Sequence, residues 1–166
     1  MLNRTAEEWQ RLCHLAALLD ELPALTNELG FHYYHFNFAY RKHEISAGNL
    51  LPGGDVIVQA ALDFRPLHLS RSDIPLIWEP KAFAMAPVFW TEAQALNLRH
   101  GWVQPVHQGT AHSSLALLRS HVSVSINELY QKAAMVMWLA ERLYLAALCE
   151  AGVTDAHAPW GPSCAR

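Results

Sequence analysis

The sequence predicts an α+β protein: an α-β-α sandwich with a central antiparallel sheet of about five strands and helices on both faces. Three observations lead there. Apolar residues make up 52% of the 166 residues and charged residues 16%, which is apolar enough for a sizeable core and below the ~25% charge usual in soluble chains. The strand-like stretches are few, and the clearest pair is joined by a short polar link that makes it antiparallel. Helical stretches with apolar stripes stand before, between and after them, so both faces of a sheet can be covered.

At the start, Thr5 with Glu8 three residues on forms a capping box, followed by Trp9, Leu12, Cys13, Ala16 and Leu19 at helical spacing. Pro23 is expected to break or kink this run, with a short second helix ending near Gly30. The stretch 31–40 holds six aromatics in ten residues, a strand composition. Its period-2 alternation puts Tyr34, Phe36, Phe38 and Tyr40 on one face, and Tyr33 and His35 on the other. The polar segment 41–51 has room for one more short strand. Pro52-Gly53-Gly54-Asp55 is a turn into a short helix over Val56–Phe64, and Pro66–Asp73 is a loop or one helical turn. Pro75–Trp78 is extended, and Glu79-Pro80 ends it.

Ala86–Leu98 is expected to be a helix with Phe89, Ala93 and Leu96 on one side. Gly101–His107 and Ser113–Arg119 form a hairpin across Gln108-Gly109-Thr110-Ala111. Ser125 caps a long helix whose apolar stripe is Ile126, Leu129, Tyr130, Ala133, Met137, Ala140, Tyr144 and Ala147. Met135, Trp138 and Leu145 lie off that stripe, so a second buried side, against a partner, is expected. Residues 1–150 are expected to be one domain, and 151–166 a loose tail.

Composition excludes several functions. The net charge is -3 with histidine neutral, without the clustered Lys and Arg of a nucleic-acid footprint. Three cysteines, an odd number without close pairing, suit a reducing, cytoplasmic setting better than a disulfide scaffold. No window of ~18 apolar residues lacks a charge, so no membrane span is expected, and the first residues lack a signal-peptide run.

Ten histidines invite a metal reading. However, His32 and His35 fall on opposite faces of a strand, and His100, His107 and His112 lack ligand spacing, so no metal is expected. Cys13 and Cys149 sit on helical stripes as small core residues. Nucleophile-elbow, dinucleotide and phosphate-loop motifs are absent, so neither an enzyme nor a cofactor is expected. The aromatics crowded between Tyr33 and Trp102 suit an apolar small-molecule pocket, although a plain core would use them equally.

Read together, Ile74-Pro75-Leu76-Ile77-Trp78, Phe89-Trp90-Thr91-Glu92-Ala93, Leu98–Val106 with its Gly101-x-x-x-Pro105-Val106, and Ser113–Ser120 resemble, in order and spacing, the autoinducer-binding domain of LuxR-family quorum-sensing regulators. Gly30-Phe31 before an aromatic strand fits as well, and the resemblance spans about two thirds of the chain. It implies an α-β-α sandwich, an apolar or acyl ligand held between the sheet and one helical layer, and dimerisation. The ligand-binding set it implies, together with the aromatic clustering, is Tyr33, Phe36, Phe38, Gln59, Asp63, Trp78, Phe89, Trp90, Trp102 and Ser113.

Two departures accompany the resemblance. The chain stops at Arg166, so no helix-turn-helix and no direct contact with nucleic acid is expected of it. The family's polar anchors for a homoserine-lactone head also change. Asp55 stands at a Trp position, Gln59 at a Tyr position and Arg65-Pro66 at an Asp-Pro, with Asp63 able to stand in and Ala116 near a usual Ser/Thr. Each lost bond lowers affinity, so the apolar half of the pocket is expected to survive better than the polar half. The expected role is a signal-binding regulator acting without DNA binding. The alternative is a module that pairs with a full-length LuxR-type regulator after losing its ligand.

Overall fold

The computed structural model describes residues 14–152. The order of elements is α1 (Leu15–Glu28), β1 (Tyr33–Tyr40), β2 (His43–Gly48), α2 (Gly54–Ala61), β3 (Leu76–Trp78), α3 (Pro87–Ala95), β4 (His100–Gln108), β5 (Ala111–Arg119) and α4 (Ile126–Glu150). Short 3-10 turns at Leu62–Phe64, Leu67–Leu69 and Pro80–Phe83 fill the connections after α2 and β3. The five strands form one sheet in the order β2-β1-β5-β4-β3, antiparallel at every pairing. The expected sandwich is therefore present, with β2 as the extra short strand in segment 41–51.

Because side chains alternate across a sheet, its two faces build two separate cores. On one face Phe36 and Phe38 of β1, Trp102 of β4, and Leu115 and Leu117 of β5 pack against α1 and α4. Phe31 meets Trp102 edge-on at 5.3 Å, and Phe38 lies 5.9 Å from Tyr144 of α4. On the other face Val103, Ala116 and Leu118, with Trp78 of β3, pack against α2, α3 and the 3-10 turns. The alternation in β1 is as expected: Tyr34, Phe36, Phe38 and Tyr40 join the first core and Tyr33 the second.

Several expectations are corrected. Pro23 does not break the first helix; α1 runs through it unbroken. Pro23 lies on the exposed side, while Leu15, Leu18, Leu22 and Leu25 bind the helix to the core, so the one backbone bond it removes is outweighed by packing. The Thr5–Cys13 part of the expected helix lies outside the described residues, as does most of the 151–166 tail. In β1 the strand starts two residues late, since Phe31 N donates instead to Thr26 O at 3.0 Å, closing α1. α3 ends at Ala95 rather than Leu98, because Asn97 turns the chain at φ +63° and Leu98 N returns to Ala93 O at 3.0 Å.

The long helix also presents a different face. Ser125 caps it as expected, its Oγ accepting from Glu128 N at 3.1 Å, but the buried stripe is Val136, Leu139, Ala140, Leu143, Tyr144 and Ala147. Ile126, Tyr130 and Met137 point to solvent, whereas Met135, Trp138 and Leu145 are partly buried at the edge of the core. Cys149 is exposed instead of filling the core.

A polar clamp fixes the start of α4. Arg119, 8% exposed, donates to both carboxylate oxygens of Glu128 at 2.8 and 2.7 Å, and to the carbonyls of Gly30, Val122 and Ser123. Lys132 bridges Glu128 and Leu29 O. The paired arginine and lysine hold the Glu128 carboxyl down at about 2, against an ordinary 4.5.

Candidate functional site

The sheet face that carries the second core divides into two regions of opposite character. Around Trp78 the protein's own aromatic rings crowd together. Its ring lies 5.1 Å from Phe83, 6.3 Å from Phe89 and 6.5 Å from Trp90. Phe83 stacks on Trp90 at 5.5 Å, and Phe64 meets Phe89 at 4.6 Å. Trp78 Nε1 donates to Leu98 O at 2.7 Å, tying β3 to the end of α3. The indole thus has its polar atom satisfied and its faces covered by the protein's own rings.

Beside this cluster a cleft of about 490 Å³ opens between the sheet, α2 and the segment 62–71, a size in the usual range for small-molecule sites. Asn37 of β1, His107 of β4, and His112 and Ser114 of β5 contribute from the sheet. Gln59, Leu62, Asp63, Arg65, Leu67, Ser70 and Arg71 contribute from the opposite wall, and Ser113 borders it. Ten of these twelve residues are polar or charged, so hydrogen-bonding groups are set among Leu62, Leu67 and the carbon stems of the long polar side chains.

The opposite wall is built around Arg65, which is 9% exposed. Its Nη1 donates to Ser72 O and Ile74 O, both at 3.1 Å, and its Nη2 to Ser70 O at 3.4 Å. Three carbonyls of the 70–74 loop thereby wrap one guanidinium. From the sheet side, Asp73 Oδ1 accepts from His107 N at 2.8 Å and Asp73 O from Gln104 Nε2 at 2.7 Å, pinning the loop to β4. Burial lowers the Arg65 pKa, with Asp73 opposing. Burial and the Arg65 charge lower that of His107, which faces the stacked His112 ring at 5.9 Å. Both effects favour the neutral imidazole of His107.

The sequence-derived set divides between the two faces. Phe36, Phe38 and Trp102 lie in the core under α1 and α4, on the far side of the sheet from the cleft. Tyr33, Trp78, Phe89 and Trp90 belong to the near core beside it. Gln59, Asp63 and Ser113 line or border the cleft itself. Asn37, Arg65, Arg71, His107, His112 and Ser114 were not in that set. Asn37 could have been found, because period 2 places it with Tyr33 and His35; Arg71 and His112 carry no sequence signal. Asp55 is exposed on the first turn of α2. Among the described residues no His/Cys/Asp/Glu group is arranged to hold a metal, and no helix is long and apolar enough to cross a membrane.

This architecture, a five-stranded antiparallel sheet with a long helix on one face and a cleft under short helices on the other, is the fold of LuxR-family autoinducer-binding domains. The chain is similar to the N-acylhomoserine lactone-dependent LuxR-family transcription factor CepR2 from Burkholderia cenocepacia, with a TM-score of 0.71 and 17% identity over 91% of this chain and 95% of that one. It is similar to SdiA in complex with octanoyl-rac-glycerol (TM-score 0.65, 22% identity, 96% of this chain and 69% of that one). It also resembles residues 1–171 of Escherichia coli SdiA in solution (TM-score 0.69, 18% identity, 89% and 92%). No family model matches the sequence, and no curated protein does.

Proposed function

We propose that this chain is a small-molecule-sensing domain that regulates through protein contacts. The observation that carries the reading is the cleft between the sheet and the α2 layer, in a fold shared with a lactone-dependent regulator and with a protein that takes octanoyl-rac-glycerol. Two such different molecules in one fold fit a scaffold whose wall residues, rather than its sheet, choose the ligand. Thermal unfolding against acyl-homoserine lactones of several chain lengths, octanoylglycerol and small polar metabolites tests it. A ligand of the folded state must raise the midpoint, and Gln59→Trp, an exposed change at the cleft wall, should abolish the rise. No shift with any of these classes would refute sensing.

A second reading, pairing with another LuxR-type chain or with itself, is favoured by α4. Ile126, Tyr130 and Met137 are 74, 78 and 50% exposed, and their spacing puts them on one side of the helix. Sedimentation of the protein alone and with a full-length LuxR-type regulator tests this, and Tyr130→Glu should weaken any association. A strictly monomeric protein that captures no such regulator would refute it.

A further inference from the structure

We infer that the cleft takes a small polar molecule carrying one acidic group, a carboxylate or a phosphate, in place of a fatty acyl chain. The inference deepens the sensing proposal and rests on it. The apolar space on this face is already occupied, since Phe64, Phe83, Phe89 and Trp90 close over Trp78. The neighbouring cleft sets ten polar or charged residues beside Leu62 and Leu67. An alkyl chain lying there would gain the apolar part of the wall, Leu62 and Leu67 included, but would strip water from the polar groups beside it, and each buried group left unpaired costs about 5- to 150-fold in affinity.

The charges specify the sign. The cleft lining holds Arg65 and Arg71 against Asp63, one positive charge in excess before any histidine is counted, with Asp73 acting on Arg65 from the adjoining loop. Arg65 is buried, and among the described residues no carboxylate is bonded directly to it; Asp73 acts on it only through space. Its bonds go to neutral carbonyls, and its Nε has no acceptor. Arg119 shows what a structural arginine looks like in this fold: each of its nitrogens is bonded, and Glu128 neutralises it. Arg71 is exposed at the rim and makes no bond or ion pair among the described residues. An acid seated against these two guanidiniums supplies the directly bonded carboxylate or phosphate that neither has. Asn37 and Ser114 on the sheet side, with Gln59 opposite, then meet hydroxyl or amide groups on the rest of the molecule.

The test is thermal unfolding and calorimetric titration of the full chain with four probes. These are gluconate (a hydroxylated carboxylate), glycerol 3-phosphate (a phosphate), glycerol (the neutral polyol) and octanoyl-homoserine lactone (the acyl alternative). At least one anion should raise the midpoint by about 5–10 °C once it exceeds its Kd a hundredfold. The rise should shrink with added salt, and which of the two anions acts tells carboxylate from phosphate. Arg71→Gln, at an exposed position, should leave the unliganded midpoint unchanged and weaken anion binding about tenfold or more. Three results overturn the inference: no binding of either anion, an equal response to glycerol, or anion binding that ignores Arg71→Gln. A response to the lactone alone overturns this inference and leaves the sensing proposal standing, whereas silence with all four probes and with longer lactones removes both.

Discussion

Replacing Glu128 by glutamine tests whether the clamp at the start of α4 holds the helix to the sheet electrostatically. The Glu128 carboxylate receives two bonds from Arg119 and one from Lys132, and its pKa falls from 4.5 to about 2. Taken at full strength that depression is about 3.4 kcal/mol. The side chain is 19% exposed, so solvent screening reduces the value to about 1–3 kcal/mol. Glutamine keeps one acceptor but leaves the Arg119 charge, 8% exposed, without its counter-ion. The expected loss at pH 7 is therefore about 1–3 kcal/mol.

The pH dependence is the sharper part of this prediction. A carboxylate whose folded pKa lies below its unfolded one contributes in full above about pH 4.5 and loses that contribution as pH falls toward 2. The gap between wild type and Glu128→Gln should thus be widest near neutrality and more than half closed by pH 3. Urea unfolding followed by tryptophan fluorescence, which buried Trp78 and Trp102 make sensitive, measures the gap at pH 7, 5 and 3. A gap that stays constant across this range, or one below about 0.5 kcal/mol at pH 7, would show that packing holds this junction and the ion pair does not.

Three further outcomes are expected. Gly101→Ala should cost at least about 3 kcal/mol, because Gly101 has φ +143° and a Cβ there would sit 2.0 Å from Leu117 O; an unchanged circular-dichroism melt would contradict it. Pro23→Ala should raise the melting midpoint, restoring an exposed bond to Leu19 O worth about 1–3 kcal/mol less what the freer unfolded chain recovers. His35 is 2% exposed, with its pKa lowered mainly by burial. Its neutral form favours folding above about pH 6.5, and that contribution is lost as pH falls through the depressed value. Wild type should therefore lose more stability than His35→Asn between pH 7 and 5, and parallel losses would assign the effect elsewhere.

The layers were legible because periodicity is a local property. Alternation in β1 sorted Phe36 and Phe38 from Tyr33, and the polar link 108–111 announced the hairpin. What alternation could not reveal is which helices cover which face. Phe36, Phe38 and Trp102 therefore entered one candidate site with Trp78 and Phe89, although the thickness of the sheet separates them. The stripe on α4 failed for a related reason. Ile126 and Tyr130 have the right period, but the first turns of the helix carry them away from any covering surface, and burial begins at Val136. The cleft itself was mostly illegible. It is assembled from Asn37, Arg65 and Ser114, separated by up to 77 residues, and isolated polar residues at such distances carry no pattern until the fold brings them together.

The two buried arginines differ in a way that favours the proposed reading of the cleft. Desolvating a guanidinium is expensive, and a protein recovers the cost only by supplying acceptors, preferably anionic ones. At Arg119 the fold supplies all of them, so the charge is spent on joining β5, α4 and the turn after α1. At Arg65 it supplies three carbonyls and stops. Those carbonyls belong to one short loop, which β4 also grips through Asp73, so the guanidinium is held in a fixed place with the Asp73 charge near it but no carboxylate bonded to it. Fixing a donor in advance removes the ordering cost that a ligand would otherwise meet. The arrangement therefore stabilises the fold less than a directly paired arginine would, and under the proposed reading an anion in the cleft would supply the difference.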